Sequence, residues 1–364
     1  MPRQKIQNSL YALVLAGGTG TRLWPRSRRE RPKQLLPLIS ARTMLQETVE
    51  RVLPIIPADH IFIITNEGFA ETACEQLPDL PPKNIIREPE GHGTAPSIGL
   101  GGLHIQKRDP AAVMVSLHAD HYIERAEEFR RALLDAARVA RAGYLVTLGI
   151  QPNQPETGYG YIQRGELIET LGAQPVYRVA QFLEKPDEAT ATRFVASGEY
   201  YWNSGIFAWQ MATLWEEYAR YQPKLFKQLQ SIGRDLNTRR EKTTITRVWN
   251  KIKNETIDVG IMEQSRRVVT LPIDVGWSDV GSWATLLDLL PGNRENNVVV
   301  GEHVGVDTSS SLIYSPNRLI ATVGLSDMIV VDTDDAILVC PKSRAQEVRH
   351  IVETLKQSNK HKYL

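Results

Sequence analysis

Cysteine is scarce in this sequence, and long hydrophobic runs are absent from it. The 364 residues include two cysteines, Cys74 and Cys340, which lie far apart and have no CxxC partner. There is therefore no zinc-binding pattern, and two isolated, partly buried thiols are typical of a reducing cytoplasm. No apolar run approaches the ~20 residues that a membrane-spanning helix needs. We therefore predict a cytoplasmic protein with no membrane partner.

Net charge is also small, at +1. No global field then draws the protein to nucleic acid, so no nucleic-acid partner is expected. The first ten residues, MPRQKIQNSL, lack the hydrophobic core of a signal peptide and predict a short disordered lead-in. The remaining composition, 42% hydrophobic and 23% charged, is that of an ordinary globular protein, and the length allows two domains.

The most informative stretch is Tyr11–Pro37, YALVLAGGTGTRLWPRSRRERPKQLLP. The run Tyr11–Ala16 predicts a buried strand, and the glycines of the segment Gly17–Gly20 let backbone N–H groups approach a bound anion. Pro25 and Pro32 prevent a regular helix, so the basic residues that follow lie on a shaped loop. These residues are Arg22, Arg26, Arg28, Arg29, Arg31 and Lys33. The stretch predicts a ligand with several phosphates; the alternative is a glycine turn followed by a solvated basic loop.

Two familiar phosphate-binding loops do not fit this stretch. The dinucleotide fingerprint needs a third glycine where the chain has Leu23, which argues against a dinucleotide-binding oxidoreductase. The P-loop needs Gly-Lys-Ser/Thr after four spacer residues, and no such triplet follows Gly17 or Gly18.

Strands and helices alternate after the glycine segment. Periodicity predicts helices over Thr43–Leu53 and Glu67–Leu77, and strands over His60–Thr65, Asn84–Arg87 and Ala111–Leu117. The alternation predicts an α/β fold with a mostly parallel sheet and helices on both faces. Ligands bind at the carboxyl ends of the strands in such sheets, which is where the glycine segment lies.

The pattern changes beyond Pro291. Short apolar runs separated by turn residues predict a small β-rich module with β-helix-like character, closed by a helix over Ala345–Lys356. The predicted strands are Asn297–Val300, Gly305–Val306, Ser311–Tyr314, Leu319–Val323, Met328–Val331 and Ala336–Val339. We therefore predict a catalytic domain over 1–290 and a C-terminal module over 291–364.

Asp120 is a candidate metal ligand. It comes just past the apolar strand Ala111–Leu117, where a carboxylate faces the ligand crevice, and a hard oxygen ligand there suits Mg²⁺. The alternative is a helix N-cap. His118 and His121 flank it and are not counted as ligands, because Mg²⁺ prefers oxygen.

Other candidate residues also have a purely structural interpretation. Thr94 before Ala-Pro fits a helix N-cap, the glycines around Gly158 fit a hairpin turn, and Asp279 fits a plain turn. Glu184 and Lys185 are adjacent on a predicted strand, so we expect their side chains to point to opposite faces and not to pair with each other.

The motifs, in their order, resemble those of the nucleoside-diphosphate-sugar pyrophosphorylases, and within that family the mannose-1-phosphate guanylyltransferases. They are L-A-G-G-x-G-T-R-L-x-P with P-K-Q-L-L-P, E-P-x-x-x-x-T-A-P, T-G-Y-G-Y-I, F-L-E-K-P-D, W-N-S-G-I-F and W-x-D-x-G-S-W. The family usually has Arg-Asn where this chain has His92-Gly93. The resemblance spans about residues 10–356 and implies a Rossmann-like, GT-A-like nucleotidyltransferase fold in a short form without a fused isomerase domain.

The resemblance also implies roles for individual residues. Nucleotide binding is implied for Ala16, Gly17, Gly18, Gly20, Thr21, Glu88, Thr94, Ala95 and Pro96. Hexose binding is implied for Gly158, Glu184, Asn203 and Asp258. Catalytic roles are implied for Arg22 and Lys33 on the triphosphate and for Lys185 on the sugar phosphate, and Mg²⁺ ligation for Asp120 and Asp279.

The reaction implied by the resemblance joins GTP and α-D-mannose 1-phosphate to give GDP-mannose and pyrophosphate, with Mg²⁺ as cofactor. The sugar phosphate is already ionised at neutral pH, so the reaction needs charge neutralisation and in-line positioning rather than a general base. The sequence leaves open another sugar 1-phosphate (glucose or manno-heptose), another nucleoside triphosphate, and a catalytically silent nucleotide-sugar sensor. A homo-oligomer, a dimer, is expected from the β-rich module.

Overall fold

The computed structural model describes residues 8–18, 20–171 and 174–364. Thr19 and residues 1–7 of the predicted lead-in lie outside this part of the chain. The strands are β1 Leu10–Leu15, β2 Ile61–Asn66, β3 Ile85–Glu88, β4 Val113–His118, β5 Tyr122–Ile123, β6 Leu145–Ile150, β7 Gly160–Leu171, β8 Gln174–Glu184, β9 Tyr200–Gln210, β10 Val268–Ile273, β11 Trp277–Ser278, β12 Val298–Val306, β13 Leu312–Val323, β14 Met328–Asp332 and β15 Ile337–Pro341.

The helices interleave with these strands as the sequence predicts. They are α1 Met44–Val52, α2 Ala70–Gln76, α3 Thr94–Arg108, α4 Ala126–Ala140, α5 Glu188–Ser197, α6 Met211–Tyr221, α7 Pro223–Asp235, α8 Glu241–Trp249, α9 Trp283–Leu289 and α10 Val348–Gln357. Short 3₁₀ turns cover Thr21–Leu23, Lys33–Leu35, Ala58–His60, Glu67–Phe69, Pro82–Asn84, Lys342–Glu347 and His361–Tyr363, and a π-helical turn covers Asp258–Met262. No helix in the described ranges is both long and apolar enough to cross a membrane.

The chain packs as two compact units, and neither is continuous in sequence. Unit 1 comprises Met1–Gly17, Thr48–Ala119 and Ile123–Trp277. Unit 2 comprises Gly18–Glu47, Asp120–Tyr122 and Ser278–Leu364. The glycine segment therefore begins in unit 1 and continues in unit 2.

Unit 1 is built on a nine-stranded sheet in the order β3-β2-β1-β4-β9-β6-β10-β8-β7, counted over the described residues. Seven of these strands run in one direction, and β8 and β9 run against them. All six residues of β1 are buried, and the strand lies between β2 and β4 inside the sheet, as expected for a parallel sheet covered on both faces. The predicted α/β fold with a mostly parallel sheet is confirmed.

The small sheet of unit 2 has the order β12-β13-β14-β15, with parallel pairing up to β14 and antiparallel pairing of β15. The β-rich module is confirmed, but the prediction of six short strands is wrong. The runs at each end of β12 form one strand, and so do those at each end of β13, because the ladder continues across a bulge. There Gly301 and His303 are two apart but pair with Ser315 and Ile320, which are five apart. The closing helix begins as a 3₁₀ turn and becomes α-helical at Val348.

The core of unit 2 includes residues of the loop that follows the glycine segment. Leu23 and Trp24 are buried in one apolar cluster with Trp283 and Tyr314. Trp283 Nε1 donates a hydrogen bond to the carbonyl of Trp24 at 2.9 Å, and Trp24 Nε1 donates to the carbonyl of Tyr363 at 2.7 Å. Tertiary packing, in addition to the two prolines, therefore holds this loop in one shape.

Candidate functional site

Ala16 and Gly17 continue β1 to the carboxyl edge of the unit 1 sheet. Ala16 N donates to the carbonyl of Ile64 at 2.8 Å, and the Ala16 carbonyl accepts from Thr65 Oγ1 at 2.9 Å. A Cβ at Gly17 would lie 3.8 Å from Glu88 Oε1. The start of the glycine segment therefore lies beside the carboxylate that ends β3.

Glu88 is a buried carboxylate with one oxygen already engaged. Its exposed fraction is 5%, and Ser97 Oγ donates to its Oε2 at 2.6 Å. Burial raises the pKa of Glu88, and the hydrogen bond from Ser97 opposes the rise. Keeping a carboxyl group here lowers stability at neutral pH, which is typical of a functional group. Sequence reasoning missed Ser97, although its place in the first turn of α3, just after Pro96, was a usable signal.

The first turn of α3 carries Thr94, Ala95 and Pro96, and the segment around Glu255 holds it in place. Thr94 Oγ1 accepts a hydrogen bond from Ile257 N at 2.8 Å, and Ala95 N donates to the carbonyl of Glu255 at 3.1 Å. The N-cap is Gly93, so the N-cap interpretation of Thr94 is wrong. The Thr94 hydroxyl does not cap the helix, because it accepts a hydrogen bond from Ile257 N, while the Glu255 carbonyl accepts the hydrogen bond of Ala95 N.

Asn203 is positioned by a bulge in β9. Residues Thr147 and Gly149 of β6 are two apart but pair with Phe207 and Asn203, which are four apart. Gly205, in the extra length, has a φ of 68°. The bulge re-aims the Asn203 amide, whose Nδ2 donates to Asp258 Oδ1 at 2.7 Å. The structure thus brings two predicted hexose-binding residues into direct contact.

Glu184 joins these two residues because Gly160 leaves room for it. A Cβ at Gly160 would collide with Glu184 Oε2 and lie 3.3 Å from Asn203 Cβ. Burial raises the pKa of Asp258, and the charge on Glu184 raises it further. His118, which sequence reasoning left aside, counters that rise, and its Nε2 lies 2.8 Å from where a Gly205 Cβ would be.

The prediction that Glu184 and Lys185 do not pair is wrong. Lys185 Nζ lies 2.5 Å from Glu184 Oε1, with both side chains partly exposed. β8 ends at Glu184, and Lys185 has a φ of 49°, so the alternation of an extended strand does not reach it. Gly158 is an exposed turn residue whose N–H donates to Glu156 Oε1 at 3.1 Å.

In unit 2, Gly18 and Gly20 lie against the 3₁₀ turn that begins at Lys33. Gly20 has a φ of 59°, and a Cβ there would lie 2.5 Å from Lys33 Cβ. Gln34 Nε2 donates to the carbonyl of Gly18 at 3.2 Å, and Ser27 Oγ donates to the carbonyl of Gly20 at 2.6 Å. Thr21 opens the first 3₁₀ turn of the loop. Sequence reasoning missed Gln34, although it lies beside Lys33 in the P-K-Q-L-L-P motif.

Lys33 links the two predicted metal ligands. Its buried ammonium lies 2.8 Å from Asp120 Oδ2 and also donates to the backbone carbonyl of Asp279. No helix begins at Asp120, so the N-cap alternative for this residue is wrong. Asp279 lies in a tight turn in which Val280 has a φ of 47°. Asp120 and Asp279 offer hard carboxylate oxygens, which fit Mg²⁺. A ring nitrogen of His121 lies within 4.8 Å of an Asp120 carboxylate oxygen.

Three arginines of the loop, Arg22, Arg26 and Arg28, differ in their contacts. Arg26 lies 5.1 Å from the Tyr314 ring centroid, and Arg28 is paired with Asp335 at 2.6 Å. Their guanidinium groups therefore serve packing in unit 2. Arg22 is half-buried and makes no hydrogen bond or ion pair with the residues that the structure describes. Among the two predicted triphosphate ligands, Arg22 thus differs from Lys33, which is already engaged.

Comparisons with known proteins identify the family of this chain. The family model "Nucleotidyl transferase" matches residues 11–295, and "MannoseP isomerase/GMP-like beta-helix domain" matches residues 301–355. The chain is 40% identical to a mannose-1-phosphate guanylyltransferase of Escherichia coli K12, over 98% of this chain and 76% of that protein. It is 39% identical to the mannose-1-phosphate guanylyltransferase ManC of Salmonella typhimurium, over 98% and 75%.

One solved structure is similar over almost its whole length. It is described as a mannose-1-phosphate geranyltransferase from Thermus thermophilus, with a TM-score of 0.86 and 35% identity over 96% of this chain and 99% of that one. The match to the family model covers more than half of the chain, and the curated relatives match it almost from end to end. The chain belongs to the nucleotidyl transferase family, in the group of the mannose-1-phosphate guanylyltransferases.

Proposed function

We propose that this chain makes GDP-mannose and pyrophosphate from GTP and α-D-mannose 1-phosphate. The relatives that carry this activity in their names match nearly the whole chain. The observation within the structure that supports guanine is Glu88, a buried carboxylate beside the glycine segment with one oxygen held by Ser97. Guanine presents a ring N–H and an amino group side by side, and a carboxylate accepts hydrogen bonds from such donors.

In this proposal the residues of unit 1 bind the organic parts of the substrates. Glu88 and the first turn of α3 hold the base, while Glu184, Asn203 and Asp258 accept or donate hydrogen bonds to the hexose hydroxyls. The contact of Asn203 with Asp258 fixes both side chains before substrate arrives, which reduces the ordering cost of binding. Lys185 is exposed and can turn from Glu184 to the sugar phosphate. Gly158 lets the hexose approach the backbone.

The residues of unit 2 serve the phosphates. Arg22 and Lys33 neutralise the triphosphate, and the backbone of Gly17, Gly18 and Gly20 supplies N–H donors. We propose that Asp120 and Asp279 hold Mg²⁺, which when bound neutralises phosphate charge. Lys33 orients Asp120 through their ion pair. Since the nucleophile is an already ionised phosphate, positioning and charge neutralisation are the whole catalytic task.

Four further statements belong to this proposal. Residues 1–290 form the catalytic domain and 291–364 the β-rich module, supported by family matches over 11–295 and 301–355. The chain forms a homodimer. It works in the cytoplasm, and it has no nucleic-acid partner, since its net charge is +1.

The test is pyrophosphate release with mannose 1-phosphate and Mg²⁺, comparing GTP, ATP, UTP and dTTP. We expect release with GTP, and loss of roughly 10²-fold in the preference for GTP in Glu88→Gln, because a site built on hydrogen bonds discriminates strongly. Glu90→Gln, an exposed glutamate two residues further on, is the matched control and keeps the preference. No release with any nucleotide, from folded protein, would overturn the activity. Pyrophosphate release with glucose 1-phosphate or manno-heptose 1-phosphate, and none with mannose 1-phosphate, would show that the proposed sugar substrate is wrong.

A further inference from the structure

A cavity, here called the second cavity to distinguish it from the proposed substrate site, lies in unit 1 outside the residues assigned to the substrates. It has a volume of about 840 Å³ and is walled by β3, the middle of α3 and the start of α8. Its size falls within the range of small-molecule and cofactor sites, about 300–1,000 Å³. Ile85 and Ile86 of β3 and Ile245 of α8 give it a buried apolar wall. Such a wall suits a planar ring.

The charge left over in this cavity is positive. Of its two acidic residues, Glu67 lies 3.8 Å from Arg87 and 3.5 Å from Lys242, and Glu241 accepts from a backbone N–H. Lys83 and Arg239 also line the cavity, and neither has an ion pair or hydrogen bond with the residues that the structure describes. Lys83 and Arg239, which have no ion pair with the described residues, lie beside an apolar wall, and this combination suits a ligand that carries both a ring and phosphates.

A buried imidazole also lacks a partner here. His104 of α3 lines the cavity, and its Nε2 is inaccessible to solvent without a hydrogen bond in the described structure. Burial lowers the pKa of His104, so the ring is favoured in its neutral form, which can donate or accept one hydrogen bond. Because Nε2 is closed to solvent, it is not available to a ligand in the cavity, and only the accessible part of the imidazole contributes to the cavity wall.

We propose that this cavity is a second nucleotide site, which binds a nucleoside diphosphate with its ring on the isoleucine wall and its diphosphate on Lys83 and Arg239. The site is connected to the proposed base site through two elements. Ile86 lies two residues before Glu88 on β3, and His104 lies about 15 Å along α3 from Thr94, at 1.5 Å per residue. A ligand in the second cavity would therefore contact β3 and α3, the two elements that carry the proposed base-binding residues.

Isothermal titration of the full chain with GDP, ADP and UDP in turn tests this proposal. The variant Lys83→Glu/Arg239→Glu reverses both free cations, and both positions are exposed, so we expect the fold to persist. The matched control, Lys224→Glu/Lys251→Glu, makes the same change in net charge at lysines beside a different cavity. Thr246→Trp fills the second cavity from α8 and serves if the double variant unfolds.

We expect at least one of the three nucleoside diphosphates to bind with a stoichiometric equivalent whose Kd rises about tenfold or more in Lys83→Glu/Arg239→Glu. The Kd of that equivalent should be unchanged in the control. Hydrogen exchange of the segment 237–246 should slow when that probe is bound to the wild type. The proposal is overturned if no probe has an equivalent that depends on these cations, or if the control loses it equally. Failure of the proposed activity is separate, because this equivalent is defined by its dependence on Lys83 and Arg239 and not by turnover.

Discussion

The substitution Gly20→Ala tests how closely the glycine segment must approach Lys33. Gly20 has a φ of 59°, and a Cβ there would lie 2.5 Å from Lys33 Cβ. Ordinary contact begins near 3.4 Å, so the two backbones must separate by about 1 Å. Lys33 Cβ lies next to the main chain and cannot rotate away as the tip of a side chain would.

Two costs follow from this geometry. An alanine in the left-handed region costs about 1–2 kcal/mol, and forced overpacking adds about 1–3 kcal/mol. Gly324→Ala is the matched control within unit 2, because Gly324 has a φ of 63° and nothing within 4 Å of its Cβ position. It should carry the first cost alone. The difference between the two variants therefore isolates the close approach to Lys33.

Urea unfolding and turnover measure the two consequences. Gly20→Ala should lower the free energy of unfolding by about 1–3 kcal/mol more than Gly324→Ala does. Its kcat should fall about 10²-fold, because a shift of about 1 Å moves the ammonium that holds Asp120. Gly324→Ala should keep the wild-type kcat. Equal destabilisation in the two variants, with wild-type turnover in Gly20→Ala, would refute the reasoning.

Three further predictions concern single polar groups. Burial raises the pKa of Glu88, so the protonated carboxyl stabilises the fold below the unfolded pKa, and this stability is lost as pH rises through the folded pKa. The free energy of unfolding of Glu88→Gln should therefore rise relative to that of the wild type as pH rises, and the two should be equal in acid. Parallel curves of unfolding free energy against pH would contradict this. Tyr218 Oη donates to the carbonyl of Ala95 at 2.6 Å, so Tyr218→Phe should cost about 1–3 kcal/mol by urea unfolding and raise KM for GTP more than it lowers kcat. Asp279→Asn should lower kcat at least about 10²-fold with an unchanged unfolding midpoint, and unchanged turnover would remove Asp279 from the metal site.

Much of the fold could be read from local pattern. The run Tyr11–Ala16 predicts β1 because a strand buried on both faces has no polar position to interrupt it. Aspartate is a favoured residue just before a helix, and the Asp187 side chain accepts a hydrogen bond from Thr190 N at the start of α5. Strand merging in β12 could not be read, because Gly301 terminates a strand or bulges it according to what its neighbour strand does.

The candidate site divides in the same way. Local residue type determined the glycine segment, the carboxylates at strand ends and the order of the motifs, because backbone freedom and charge are properties of each residue alone. Tertiary structure decided that Ser97 holds Glu88, that Lys33 meets both Asp120 and Asp279, and that Lys185 turns back to Glu184. These contacts depend on where a chain turns and on which distant segment packs against it, and no spacing within one segment encodes that.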